Sequence, residues 1–215
     1  MKLKNVVILG DSYSTYEGYI PEGYAPYYTP KAEERSLDVT SVDKTWWHML
    51  SAQMNFNIVQ NNSWSGSTVS YIGWSGDCST TSSFIVRARQ FIKQRFFEEK
   101  DVDTLLIFGA TNDSWVNESL GELKLSDINE KDLYSVLPAI SYLVSLLREE
   151  YPTLNIVYII NTDLKPRIVE AIHTVCDHFG ALALELEDID KKNGHPTALG
   201  MRQIKDQVMR GIENA

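Results

Sequence analysis

Five short apolar runs, at residues 5–9, 57–60, 104–108, 155–160 and 182–184, constrain this chain more than any other feature. Runs of that length with no internal alternation read as strands buried on both faces, the pattern of a parallel sheet. Stretches of helical period separate them. Residues 45–54 carry Trp46, Trp47, Leu50 and Met54, with at least one of the two tryptophans expected in the core. Residues 83–98 carry Phe84, Ile85, Ala88, Phe91, Ile92 and Phe96 at mixed spacings of three and four. Further helices are expected over 134–150, 165–179 and 197–212. Strand and helix alternating in this way imply right-handed crossovers. The expected fold is one α/β domain over residues 1–215, a three-layer α/β/α sandwich on a five-stranded parallel sheet.

The polar residues then fall in a pattern. Gly10-Asp11-Ser12 follows the first run, and 61–68, with Gly66, follows the second. Gly109-Ala110-Thr111-Asn112-Asp113 follows the third and Asn161-Thr162-Asp163 the fourth. Gly194-His195-Pro196 lies beyond the fifth. Open α/β sheets build their sites outside the carboxyl ends of their strands. The pattern therefore collects a serine, a histidine, asparagines and a glycine-rich backbone on one rim. Acyl transfer needs those parts. A serine hydroxyl is a weak nucleophile without a neighbouring base. An imidazole titrating near neutrality supplies one. The Asn112 amide and the Gly66 N–H are suited to stabilise an oxyanion, and glycine at 66 allows close backbone approach. Asp11 and Asp113 are expected only to hydrogen-bond loop backbone.

Composition narrows the partners. The net charge of -9 disfavours nucleic acid and anionic membranes. No apolar stretch reaches the roughly 18 residues of a membrane span. Met1 to Asn5 lead straight into a strand and leave no room for a signal peptide, so a cytoplasmic location is expected for the chain as it stands, or secretion were residues to precede Met1. Cys78 and Cys176 are read as free thiols. His173 and His178, five apart, do not match a helical metal pair. No metal or cofactor is expected.

The four blocks around Ser12, Gly66, Asn112 and His195 resemble those of the SGNH hydrolases, also called GDSL-type esterases and lipases. The blocks lie in the family's order and cover residues 10 to 200. The resemblance implies a flavodoxin-like sandwich with Ser12 as nucleophile and His195 as base. It also implies an oxyanion hole from the Ser12 N–H, the Gly66 N–H and Asn112. One departure stands out: the family's usual aspartate, three residues before the histidine, is here Lys192. Either Asp190 is displaced into the orienting role, or a backbone carbonyl such as that of Lys192 holds the ring in a Ser–His dyad, the preferred reading.

The segment 13–40 is long for a strand-to-helix connection. It holds Tyr13, Tyr16, Tyr19, Tyr24, Tyr27 and Tyr28 and three prolines. It reads either as a lid or binding loop or as a packed surface loop. Trp64, Trp74 and Trp115 lie in or near the rim loops; Trp64, Trp115 and Tyr13 are the candidate substrate contacts. The expected activity is hydrolysis of a short-chain ester of a small molecule or oligosaccharide, with an O-acetylated carbohydrate first among substrates. A lysophospholipase or thioesterase is the alternative enzyme. A carbohydrate-binding module that retains the fold without chemistry is the alternative of a different class.

Overall fold

The computed structural model describes residues 1–35, 37–116 and 119–215. In chain order the elements are β1 (Asn5–Gly10), α1 (Trp46–Met54), β2 (Asn57–Ser63), and a small hairpin of β3 (Ile72–Gly73) and β4 (Gly76–Asp77). Next come α2 (Phe84–Lys93), α3 (Phe96–Glu99), β5 (Thr104–Phe108), α4 (Thr111–Val116) and α5 (Val136–Glu150). The chain ends with β6 (Asn155–Ile160), α6 (Pro166–Phe179), β7 (Leu182–Glu185), β8 (Lys191–Lys192), β9 (His195–Pro196) and α7 (Ala198–Glu213).

Five strands form one parallel sheet in the order β2-β1-β5-β6-β7. That is the flavodoxin-like arrangement, and its switch point lies between β1 and β5. Successive side chains on a strand point to opposite faces, and the core divides accordingly. Val7, Leu9, Leu105, Ile107 and Tyr158 pack under α2, α5 and α6. Val6, Ile8, Leu106, Phe108 and Val157 pack under α1 and α7, with both Trp46 and Trp47 buried among them. The expected three-layer sandwich is therefore the fold.

Several boundaries differ from the sequence reading. The single helix expected over 83–98 is two, because Arg95 takes a left-handed φ of 49°. The break lets Phe96 and Phe97 both turn back onto Phe91, each with ring centroids 5.1 Å away. The helix expected from 134 begins at Val136, after a tight turn over Asp132–Tyr134. The second strand continues to Ser63, because Asn61, Asn62 and Ser63 pair with Ile8, Leu9 and Gly10. Their polar side chains are tolerated in the sheet because they are bonded: the Asn61 Nδ2 donates to the Ser14 carbonyl at 2.8 Å.

Candidate active site

The position of Ser12 is set by close packing. A Cβ on Gly10 would stand 2.4 Å from Ser63 Oγ and 2.8 Å from Ser14 Cβ, so only glycine lets the ends of β1 and β2 close together. Asp11 then caps a tight turn over Ser12–Ser14, its Oδ1 accepting from the Tyr13 N–H at 3.0 Å. The turn presents Ser12 at the switch point, with its Oγ 2.8 Å from His195 Nε2.

His195 comes from a different device. Asn193 and Gly194 have φ of 52° and 77° and join β8 to β9. Two positive φ values in a two-residue turn match the strand twist of a hairpin, and Asn-Gly favours that turn. The hairpin brings the Asn193 carbonyl 3.3 Å from His195 Nδ1. A carbonyl only accepts, so this contact favours the tautomer with hydrogen on Nδ1 and leaves Nε2 as an acceptor for the serine hydroxyl. The carbonyl is that of Asn193 rather than that of Lys192, one candidate from the sequence, because Asn193 stands in the turn itself and Lys192 is paired with His195 in the hairpin.

Asp190 is placed elsewhere. Its Oδ2 accepts from the Thr197 hydroxyl, and its backbone oxygen accepts from the Thr197 N–H at 3.1 Å. Thr197 is in turn the N-cap of α7, its Oγ1 accepting from the Gly200 N–H at 3.1 Å. A Cβ at Gly200 would stand 2.1 Å from the Asp190 carbonyl oxygen, so this glycine lets the helix start beneath the histidine loop. Asp190 is thus engaged in fixing the start of α7.

The other rim loops place the amide donors. Gly66 has φ of +80°, which a side chain would strain. Among the described residues, the backbone N–H groups of Ser12 and Gly66 have no acceptor. Asn112 is the second residue of α4, a helix that begins directly after Ala110, which is held at φ 73°. Its Nδ2 donates to the Ser67 carbonyl at 3.0 Å, and its Oδ1 accepts from Trp74 Nε1 at 2.9 Å. Asp113 accepts from the Val69 and Ser70 N–H groups at 2.8 and 2.9 Å, tying α4 to the Gly66 loop. The role expected of Asp113, bonding loop backbone, is the one its contacts describe.

Below the rim lies a fully buried cation that sequence reasoning missed. Arg87 donates to the Gly10 carbonyl at 3.1 Å, the Asn62 carbonyl at 2.6 Å, Ser67 Oγ at 2.9 Å and the Ser82 carbonyl at 3.1 Å. Its guanidinium also lies 4.3 Å from the Phe84 ring centroid. One side chain thus ties the ends of β1 and β2 to the loop of Ser67 and Gly66. An arginine on the apolar face of an otherwise amphipathic helix was the available signal.

Burial governs the electrostatics. It pushes the Asp11 carboxyl up to about 7, against the pull of the Tyr13 N–H. It also raises Asp113, against its two backbone donors. Burial lowers Arg87 to about 10, which still leaves it charged at neutral pH.

The aromatic residues divide. Tyr13, expected to touch substrate, is buried, with its ring edge-on to Phe108 and its hydroxyl donating to the Gly194 carbonyl. It holds the histidine hairpin from below because it directly follows Ser12 and turns into the core. Trp64 has one face covered by Tyr24, with centroids 4.1 Å apart. Trp115 remains 43% exposed beside His195, with centroids 6.0 Å apart. Tyr27, which nothing in the sequence singled out from the other tyrosines, stacks flat on the imidazole at 3.6 Å and 8°.

The 13–40 segment, of which Ser36 lies outside the described residues, bridges the rim. The Ser65 N–H donates to the Ala25 carbonyl at 2.9 Å, Tyr28 donates to the Pro196 carbonyl at 2.7 Å, and the Ala198 N–H donates to Asp38 at 2.8 Å. Among the described residues, no three His, Cys, Asp or Glu side chains are grouped as a metal site, and no helix is long and apolar enough to cross a membrane.

A serine–histidine pair and convergent amide donors at the switch point of a doubly wound sheet define a class of site suited to acyl transfer. Relatives fit that class. The family model for GDSL-like Lipase/Acylhydrolase matches residues 4–212, and the chain belongs to that family. It is similar to a candidate GDSL-like lipase from Bacteroides ovatus, at 36% identity and a TM-score of 0.88 over 100% of both chains. A candidate GDSL-like lipase from Bacteroides uniformis is similar at 35% identity and a TM-score of 0.89, over 99% of this chain and 97% of that one. A family two carbohydrate esterase from Clostridium thermocellum shares the fold at 18% identity and a TM-score of 0.65, over 100% of this chain and 65% of that one. No curated protein matches.

Proposed function

We propose that the protein is a serine esterase acting on short-chain esters through an acyl-enzyme on Ser12. The observation that carries the reading is the 2.8 Å contact between Ser12 Oγ and His195 Nε2 at the sheet's switch point. Ser12 Oγ attacks the ester carbonyl carbon while His195 Nε2 takes its proton. The carbonyl oxygen becomes an oxyanion, which receives hydrogen bonds from the Ser12 and Gly66 N–H groups and from Asn112 Nδ2. Collapse breaks the bond to the alkoxy oxygen, which leaves with the proton from Nε2. His195 then takes a proton from water as that water attacks the acyl carbon, and collapse releases the carboxylic acid and restores Ser12. Throughout, the Asn193 carbonyl holds the Nδ1–H, and the Tyr27 ring fixes the imidazole plane.

An O-acetylated carbohydrate is the substrate class we favour. Two exposed indoles support it: Trp74, bonded to Asn112, and Trp115, beside His195. Aromatic faces next to a hydrolytic site are suited to stack on sugar rings. The relatives of known fold include a carbohydrate esterase. Steady-state assay of acetylated xylo-oligosaccharides, acyl-glycerols and acyl-CoA tests the class. A kcat/KM highest for the acetylated sugar supports it, and preference for either of the other two overturns it.

A further inference from the structure

Trp74 stands between β3 and β4 and is 61% exposed, the most exposed large apolar side chain among the described residues. An indole at such a place ordinarily gives its N–H to water. Here Nε1 donates to Asn112 Oδ1 at 2.9 Å. The same ring edge covers Gly66, since a Cβ built there would lie 3.5 Å from Trp74 Cδ1 and 3.9 Å from Nε1. One side chain thus bonds one of the three proposed oxyanion donors and lies beside the glycine that carries another.

The chemistry of the contact fixes a direction. An indole nitrogen only donates, so the amide oxygen of Asn112 must face it. The amide nitrogen then faces away and gives one hydrogen to the Ser67 carbonyl at 3.0 Å. Its second hydrogen is left for a bound oxyanion. A flipped amide would set an N–H against the indole N–H and its oxygen against the Ser67 carbonyl, so both partners oppose the flip.

We propose that Trp74 is a positioning residue of the oxyanion hole, its indole N–H setting the orientation of the Asn112 amide and its ring backing the Gly66 loop. The inference rests on the esterase reading, in which Asn112 stabilises the oxyanion. Preorganised donors contribute through their fixed aim, and loss of one costs about a hundredfold or more in kcat. Loosening one should cost less than deleting it.

The test is a double-mutant cycle on p-nitrophenyl acetate, whose small leaving group needs no sugar platform. The variants are Trp74→Phe, which keeps a ring and removes the donor, Asn112→Ala, and the pair, with Ser12→Ala as control. Trp74→Phe is expected to lower kcat about tenfold, to leave KM within about twofold, and to leave Tm within about 2 °C because the residue is exposed. In the Asn112→Ala background it is expected to change kcat no further. Three results overturn the proposal: a kcat within twofold of wild type, the same kcat loss in both backgrounds, or a raised KM at unchanged kcat, which assigns Trp74 to substrate contact alone. Equal rates for wild type and Ser12→Ala would instead remove the esterase reading. A Ser12-dependent enzyme indifferent to Trp74→Phe removes only the positioning role.

Discussion

His195 is aimed by backbone and aromatic contacts. The Asn193 carbonyl faces Nδ1, Tyr27 covers one face of the ring, and the nearest upstream acid, Asp190, is engaged by Thr197. Asp190→Ala is therefore expected to leave kcat/KM within about threefold of wild type while the protein stays folded. A loss of a hundredfold or more, measured on a short-chain ester, would return Asp190 to the orienting role. Asp11 has a pH signature of its own. Burial lifts it to about 7, so between about pH 4 and 7 the folded protein holds a proton that the unfolded chain has released. Its contribution to stability is present below that window and is lost as pH rises through it. Asp11→Asn keeps an acceptor for the Tyr13 N–H and cannot ionise. Its Tm relative to wild type is expected to rise between about pH 5 and pH 8, and a pH-independent difference would contradict the assignment.

At the scale of elements, the site depends on how strands end and helices begin. Thr197 caps α7 and is itself held by Asp190. Thr197→Ala is expected to cost about 1 kcal/mol, or about 2–4 °C in Tm for a chain of this size, as read by calorimetry. An unchanged Tm would show that the cap carries no stability. The strand ends were legible in the sequence because buried parallel strands are apolar throughout, as in Leu105, Leu106 and Ile107. The extension of β2 was not, since Asn61 and Asn62 look like loop and their side chains find distant partners in Ser14 and Arg87. The residues of the rim were legible as types, not as contacts. Ser12 and His195 lie 183 positions apart, and only the folded sheet sets them 2.8 Å apart. The substrate role expected of Tyr13 failed because its neighbour on the rim, Ser12, gave no sign of which way the next side chain turns. The Asn-Gly pair at 193–194 did carry a readable hairpin signal, and the hairpin it forms is what sets the Asn193 carbonyl against His195 Nδ1.

Across the whole molecule, the site is a joint between loops from four strands, and the fold braces it from both sides. From below, Arg87 ties β1 and β2 to the loop of Ser67. From beside, the 13–40 segment links the Gly66 loop to the histidine hairpin. Arg87→Met strands several buried acceptors at once and is expected to cost at least about 3 kcal/mol in urea unfolding, with loss of activity. A stable and active variant would show that the brace is dispensable. All of this geometry converges on one hydroxyl. The most direct measurement is intact and peptide-level mass spectrometry after treatment with an organophosphate that mimics the tetrahedral intermediate. The account predicts one adduct per chain, located on Ser12, formed in wild type and absent in Ser12→Ala, with ester turnover abolished in step. A wild-type protein that hydrolyses esters yet carries no adduct on Ser12, or carries it on another residue, would contradict it.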